Sequence, residues 1–417
     1  MLLLPRISHQ CRTLATRQLS TVSSRSLSLD EIVAWAKRRG FVWSPPLYGG
    51  GGTGYDFGPL GAALKRNVSR AWWADFVDRR ADCVPLETAL VLSPRVWVAS
   101  GHVAQFSDPL AECASCRRRV RADKAVAAAL GNTKNGNAAA GTSALLPKWL
   151  TDARDSGTDT GAFTLTQVGE ALTALRVVCP GCGKGGELGL GVPRTFNLLL
   201  KTHVGAVEGA EGSVAGGGGA GEPAYLRPET AQGAYIHFLN LLNSTRRRLP
   251  LGVGQAGPSF RNEISVGQFL FRTREFDQCE LQYFCAPATS TMEFDRWLTF
   301  CTSWLTNKIG LRAENIRVRH YEKGEMAHYA LATSDIEFKY PFGWEEIWGV
   351  SNRGDFDLKA HSKASGVALE YTDPVGGEVS ERTREGGGRC CALCNLPPSP
   401  FLFSLPPPPL DFYPTCC

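Results

Sequence analysis

PSFRNEISVGQFLFRTREFDQCELQYF, residues 258–284, carries the densest chemistry in the chain. Polar and apolar side chains alternate through 250–286, the period of strands with one buried face. This predicts two antiparallel strands joined by a loop at Ile264–Phe269. Such a pair would bring Arg261, Glu263, Arg272 and Phe276 onto one surface. Arginine can clamp a phosphate with two parallel hydrogen bonds. A phenylalanine face can stack on adenine, and Glu263 can accept from an amino group or orient an arginine. An ordinary amphipathic hairpin with a solvated charged face fits the spacing alone as well.

Outward from this segment the pattern stays mixed. Residues 28–40 predict a helix that Asp30 can cap and Gly40 can end. Residues 63–80 predict an amphipathic helix, and 84–100 begin as a strand that ends near Pro94. Residues 290–308 read as helix, and 315–321 and 334–340 as strands. The Ala-, Gly-, Asn- and Thr-rich stretch 125–160 has weak periodicity and reads as an inserted mobile region. The glycine-rich stretch 205–222 reads as a flexible loop. The glycine run at 49–54 lacks the GK[ST] of a phosphate loop, so strand curvature or a tight turn is the better reading.

The chain has 417 residues, 43% of them hydrophobic, and a net charge of +5. A mild basic excess suits a polyanionic partner without requiring one. No hydrophobic run approaches the roughly 20 residues of a membrane span, so no membrane partner is expected. Fourteen irregularly placed cysteines do not read as a small disulfide scaffold. Cys113 and Cys116, with Cys179 and Cys182, form two CxxC pairs, and four thiolates suit a structural Zn²⁺. Four reduced, unliganded cysteines are the alternative. The start of the chain holds Arg6, Arg12, Arg17 and Arg25 and no acidic residue before Asp30. That composition predicts an organellar transit peptide over 1–28, mitochondrial or chloroplast; a basic tail of a cytoplasmic protein is the alternative.

FRNE followed by FRTREF resembles motif 2 of the class II aminoacyl-tRNA synthetases. Further segments resemble the homodimeric glycyl-tRNA synthetases: GYDFGPLG (54–61), SPRVWVASGHVAQFSDPL (93–110), RADK (121–124), PRTFNLLLKT (193–202), YLRPETAQG (225–233) and SDIEFKYPFGWEEIWGVSNRGDFDL (334–358). The similarity runs over roughly 29–375. It implies an α+β fold, the class II catalytic domain: a mainly antiparallel sheet flanked by helices, within 29–376, with the cysteine-bearing region 111–190 inserted. The class I signatures HIGH and KMSKS are absent.

The resemblance also implies roles. Arg261 would hold the ATP α-phosphate, Phe276 would stack on adenine, and Arg272 would meet the distal phosphates. Asn262, Glu263, Phe271 and Ile347 would line the ATP site, and Glu346 would help hold Mg²⁺ and phosphate. Glu229 and Glu280 would receive the glycine ammonium, with Gln278, Phe276 and Arg121 in the same pocket. A zwitterion needs carboxylates at one end and cations at the other. Glycine, ATP and tRNA(Gly) are the implied substrates, and the motif 1 region around 68–97 implies a homodimer.

The Pro- and Cys-rich stretch 377–417 stands where the resemblance expects motif 3 and an anticodon-binding domain. Its prolines predict no regular element, so it reads as an unrelated, disordered tail and the catalytic domain as truncated at its C-terminal end. Two readings follow: a glycine–tRNA ligase, inactive if motif 3 is missing, or a non-catalytic dimerising or tRNA-contacting fragment of one.

Overall fold

The computed structural model describes residues 27–44, 54–134, 146–156, 158, 160–204, 222–264, 266–322, 326, 330–372 and 391–396. The expected transit segment, the glycine run at 49–53 and most of the 205–222 loop lie outside these residues. So does the tail, apart from 391–396. The centre is a seven-stranded sheet: β1 (Cys83–Pro85), β2 (Leu251–Phe260), β3 (Glu275–Phe284), β4 (Ile316–His320), β5 (Ala332–Tyr340), β6 (Gly343–Asn352) and β7 (Cys391–Leu396). Their spatial order is β4-β5-β6-β7-β3-β2-β1. All neighbours are antiparallel except β1, which runs parallel to β2. The expected architecture, a mainly antiparallel sheet flanked by helices, is the one observed.

Strand alternation divides the labour of β3. Successive side chains point to opposite faces. Cys279, Leu281 and Tyr283 join the main core, against Trp297, Trp304 and Leu305 of the helix Ser290–Asn307 and against Trp72, Phe76 and Val77. Phe284, on the other face, joins Leu251 and Val253 of β2 in a second core with Ala234, Tyr235 and Phe238. Farther along that same face come Gln282, Glu280, Gln278 and Phe276. One end of the face is thus sealed by apolar packing, and the other carries polar groups that are still largely buried.

Residues 107–197 build a smaller lobe with its own three-stranded sheet: Arg119–Arg121, Ser107–Glu112 and Arg194–Asn197, in that order. Ala122, Val126, Leu130, Leu150, Val168 and Leu172 form its core. Here 125–160 departs from expectation. The helices Ala122–Lys134 and Lys148–Ser156 occupy much of it, with 135–145 outside the described residues. Alanine blurred the period, but Val126 and Leu130 are one helical turn apart on one face.

Other differences are local. Ser28, not Asp30, caps the first helix, Leu29–Arg38, in a reciprocal capping box with Glu31. The 84–100 stretch is split into β1, a two-residue strand Val91–Leu92 and a helix Pro94–Ala99. The connection between β2 and β3 is longer than predicted and runs from 261 to 274. The tail needs the largest correction. Residues Cys391–Leu396 are not irregular but run as β7 between β3 and β6, with Glu280 opposite Asn395 and Gly349 opposite Asn395. Unpaired amides and carbonyls on two facing strands are a template for any extended segment. CALCNL contains no proline to prevent pairing, whereas the residues after it do.

Candidate active site

The β2–β3 connection puts the predicted phosphate-binding residues at one end of the sheet. The Arg261 amide donates to Arg274 O at 2.8 Å, and the Asn262 amide to Leu198 O at 2.7 Å. The Arg261 guanidinium donates through Nε to Pro228 O at 3.2 Å. It lies over the rings of Phe276, at 5.2 Å, and Phe106, at 5.4 Å. Cation–π contacts of this kind orient the fork while leaving its other donors for a ligand. Glu346 of β6 keeps an exposed edge. The partial burial of its carboxyl and the charge of Asp335 beside it still raise it above the usual carboxylate range, against the opposing pull of Arg261. A cation arriving there would favour the ionised form.

Arg272 and Glu263 face each other, Nη1 to Oε2 at 3.3 Å. They adjoin a charged cluster from the smaller lobe. Arg121 binds Asp123 through both nitrogens of its fork, at 3.1 and 2.6 Å, and Asp108 at 3.1 Å. Burial pushes the Asp108 carboxyl up, Arg121 opposes this, and Asp123 and Glu263 add to it. Arg121 therefore sits with the Glu263 end of the connection. Phe271, half-buried, packs edge-on against Tyr340 and Phe342, and Ile347 is buried in the main core, so Ile347 can meet a ligand only through its main chain.

Two carboxylates define the neighbouring pocket. Glu280 accepts from the Thr230 amide at 3.2 Å and from the Thr230 hydroxyl, and from Gln282 Nε2 at 3.0 Å. Glu229 Oε1 accepts from Gln232 Nε2 at 2.9 Å, and its Oε2 lies 3.4 Å from His102 Nε2. Behind Glu229, Gln232 also donates to Asp357 at 3.1 Å, and Arg353 grips Asp357 with both edges of its fork, at 2.7 and 2.9 Å. The two carboxyls titrate apart. Burial, then the charge of Glu229, pushes Glu280 up to about 7. Burial would also raise Glu229, but His102, Arg353 and Gln232 outweigh it and hold Glu229 well below the usual carboxylate range. Buried Gln278 lines the same face of β3. An ammonium suits these carboxylates, because its charge would favour the ionised form of Glu280 beside Glu229.

His102, Thr230, Gln232, Arg353 and Asp357 were not singled out from sequence. Arg353 and Asp357 carried a signal, the i,i+4 spacing of an ion pair. Thr230 and Gln232 lie within YLRPETAQG, one and three residues after Glu229, but only the fold gives them partners.

In the smaller lobe the four cysteines meet. Cys113 Sγ lies 3.6 Å from Cys182 Sγ, and Cys116 Sγ 3.6 Å from Cys179 Sγ. All four sulfurs lie within 4.8 Å of one another. A tetrahedral Zn²⁺ with bonds of about 2.3 Å needs sulfurs about 3.8 Å apart, so the donor set fits. The Gly181 amide, 3.3 Å from Cys179 Sγ, leads the interactions that pull that thiol down to about 6.

Comparison with known proteins agrees with this geometry. The tRNA synthetase class II core domain (G, H, P, S and T) matches residues 219–365. The glycine–tRNA ligase of Caldanaerobacter subterraneus subsp. tengcongensis is 41% identical over 355 residues, covering 84% of this chain and 69% of that protein. The glycine–tRNA ligase of Lysinibacillus sphaericus is 41% identical over 349 residues, 84% of this chain and 68% of that protein. That of Geobacillus kaustophilus is 39% identical over 360 residues, 86% and 70%. Identity at this level over more than two thirds of each relative, on the matching fold, places the chain in the glycine–tRNA ligase family of class II tRNA synthetases.

Proposed function

We propose that the chain activates glycine with ATP and transfers it to tRNA(Gly). The observation that carries this reading is the juxtaposition of Glu229 and Glu280 with Arg261, whose Nε donates to the carbonyl of Pro228 beside Glu229 and whose guanidinium contacts the rings of Phe106 and Phe276. The pocket receives the ammonium, leaving the glycine carboxylate to face the α-phosphate. That carboxylate attacks phosphorus and pyrophosphate leaves. The attack needs no side-chain base, because the nucleophile is already ionised. The protein's part is positioning and charge stabilisation. Arg261 stabilises the α-phosphoryl oxygens as charge builds on them, Phe276 packs on adenine, and Arg272 exchanges Glu263 for the distal phosphates. Class II enzymes use Mg²⁺ with ATP; Glu346, beside Asp335, would hold it, and the ion would neutralise phosphate charge there. The adenylate then passes glycine to the terminal ribose of the tRNA.

Charging of tRNA(Gly) with radiolabelled glycine tests the reading. Glycine-dependent charging supports it, whereas tRNA binding without charging supports the non-catalytic alternative. The pocket also sets a pH dependence. With Glu280 at about 7 in the empty site, its proton must leave before it can pair with an ammonium. The KM for glycine is therefore expected to fall as pH rises toward about 7, by at most about tenfold per pH unit, and to level off above it. Glycine titrations in ATP–pyrophosphate exchange between about pH 5.5 and about 8.5 measure this, and Glu280→Gln should lose the inflection.

Three finer assignments belong to the same proposal. Cys113, Cys116, Cys179 and Cys182 hold a structural zinc, supported by their clustering. Metal analysis of protein purified without chelator should give about one zinc per chain; under about 0.2 contradicts it. The chain works as a homodimer through the region around 68–97. The basic, acid-free segment 1–28 directs it to a mitochondrion or chloroplast. Size measurement in solution and a fluorescent fusion of 1–28 test these two.

A further inference from the structure

One short segment, Trp97–Phe106, touches both halves of the site. His102 lies on it with Nδ1 2.8 Å from Ser100 Oγ and Nε2 3.4 Å from Glu229 Oε2. Its ring is held edge-on between Trp97, at 5.4 Å, and Phe106, at 5.3 Å. Trp97 is fully buried, so the stack is anchored in the core. Asn197 Nδ2 donates to the carbonyls of His102 and Val103, at 3.2 and 2.9 Å, and fixes the main chain. Phe106 turns its other contact toward the guanidinium of Arg261. The ammonium-binding carboxylate and the phosphate-binding arginine are thus buttressed four residues apart.

From this arrangement we infer that His102 and Phe106 are paired positioning residues, His102 for Glu229 on the glycine side and Phe106 for Arg261 on the ATP side. The inference rests on the proposed roles of Glu229 and Arg261. Glu229 has two oxygens to orient. Gln232 takes one, and His102 faces the other with a single ring nitrogen whose partner nitrogen is occupied by Ser100. Without the imidazole, the carboxylate can rotate and one oxygen loses its neighbour. Among the described residues, Glu280, Tyr235, Arg353, Asp357 and His361 are the other ionisable groups packed around this corner. None of them replaces His102, because Arg353 is already spent on Asp357 in a two-pronged pair. On the other side, the Arg261 guanidinium contacts two rings, Phe106 and Phe276. With one ring gone the fork is less constrained before a ligand is there to hold it.

The two roles separate in one set of exchange kinetics. His102→Ala is expected to raise the KM for glycine about tenfold or more while the KM for ATP stays within about twofold. His102→Gln, which can return a donor near Glu229, should recover most of the loss. Phe106→Leu, which keeps the apolar volume but removes the ring face, should raise the KM for ATP about fivefold and leave glycine within about twofold. Thermal unfolding of each variant identifies any that fail to fold; if His102→Ala or Phe106→Leu does, His102→Leu and Phe106→Met, which fill the space without a donor or a ring, carry the same expectations. Equal shifts in both KM values for each variant, or no shift in the expected one, overturn the inference. Glu229→Gln separates the two levels. If it leaves glycine use intact, the pocket assignment itself is wrong. If it abolishes glycine use while His102 variants behave as wild type, only the inference falls.

Discussion

Replacing Arg261 with alanine is expected to cut ATP–pyrophosphate exchange by about 10²-fold or more, through loss of a charge-assisted contact to a phosphoryl group in the transition state. The residue sits where the last strand position of β2 gives way to the connecting loop, and its amide is tied to Arg274 O. Among the described residues its side chain makes one hydrogen bond, to Pro228 O, and is otherwise steered by two rings. Removing it should therefore cost little stability, since neighbouring main-chain bonds such as Phe260 N–H to Arg227 O remain. Arg261→Lys keeps a charge but not a planar fork, and should fall between the two. Steady-state exchange on protein with an unchanged melting temperature is the check. A near-normal rate in Arg261→Ala would mean that the α-phosphate is held by other groups.

Phe76→Ala is expected to destabilise the protein by about 3–5 kcal/mol, the range for deleting a large buried aromatic. Phe76 is fully buried and lies at the hub of the main core. Its ring stacks on Trp72 at 5.3 Å and meets Phe300 at 5.0 Å, Trp348 at 5.2 Å, Trp304 at 5.5 Å and Trp297 at 5.9 Å. Those partners come from the helix Ser290–Asn307, from β6 and from the helix Pro59–Trp73, so one ring ties three elements together. Surrounding indoles are too large to collapse into the vacancy, which is why the upper half of the range applies. Denaturant unfolding followed by tryptophan fluorescence reads the loss. A change under about 1 kcal/mol would contradict the packing described.

The strands and long helices were legible because their patterns are local. Alternation through 250–286 yields β2 and β3, and the period over 290–308 yields the helix Ser290–Asn307, each from a window shorter than 40 residues. The site was legible in a different sense. Glu229 and Glu280 could be named because the words around them resemble a family, Arg261 from its spacing and that resemblance together, and the four cysteines from their two CxxC pairs; the fold then brings Glu229 and Glu280 to one corner and the sulfurs together. What escaped depends on contacts between distant segments. His102 meets Glu229, 127 positions later, and Gln232 meets Asp357 across 125 residues, separations that no local period encodes. Strand β7 escaped for a related reason. CALCNL is ordinary by itself and is a strand only because β3 and β6 offer it two edges. Phe271 and Ile347 show what a motif leaves open: it names positions near ATP, while only the fold shows that their side chains pack against Tyr340, Phe342 and the main core.

The central claim is that this sheet end brings glycine and ATP together for adenylate formation. ATP–pyrophosphate exchange measured with glycine, alanine or serine as the amino acid tests it most directly. The account predicts exchange that depends on glycine, falls by about 10²-fold or more in Arg261→Ala, and stays at background with alanine and serine. Folded protein that shows no exchange with glycine above the Arg261→Ala background would contradict it.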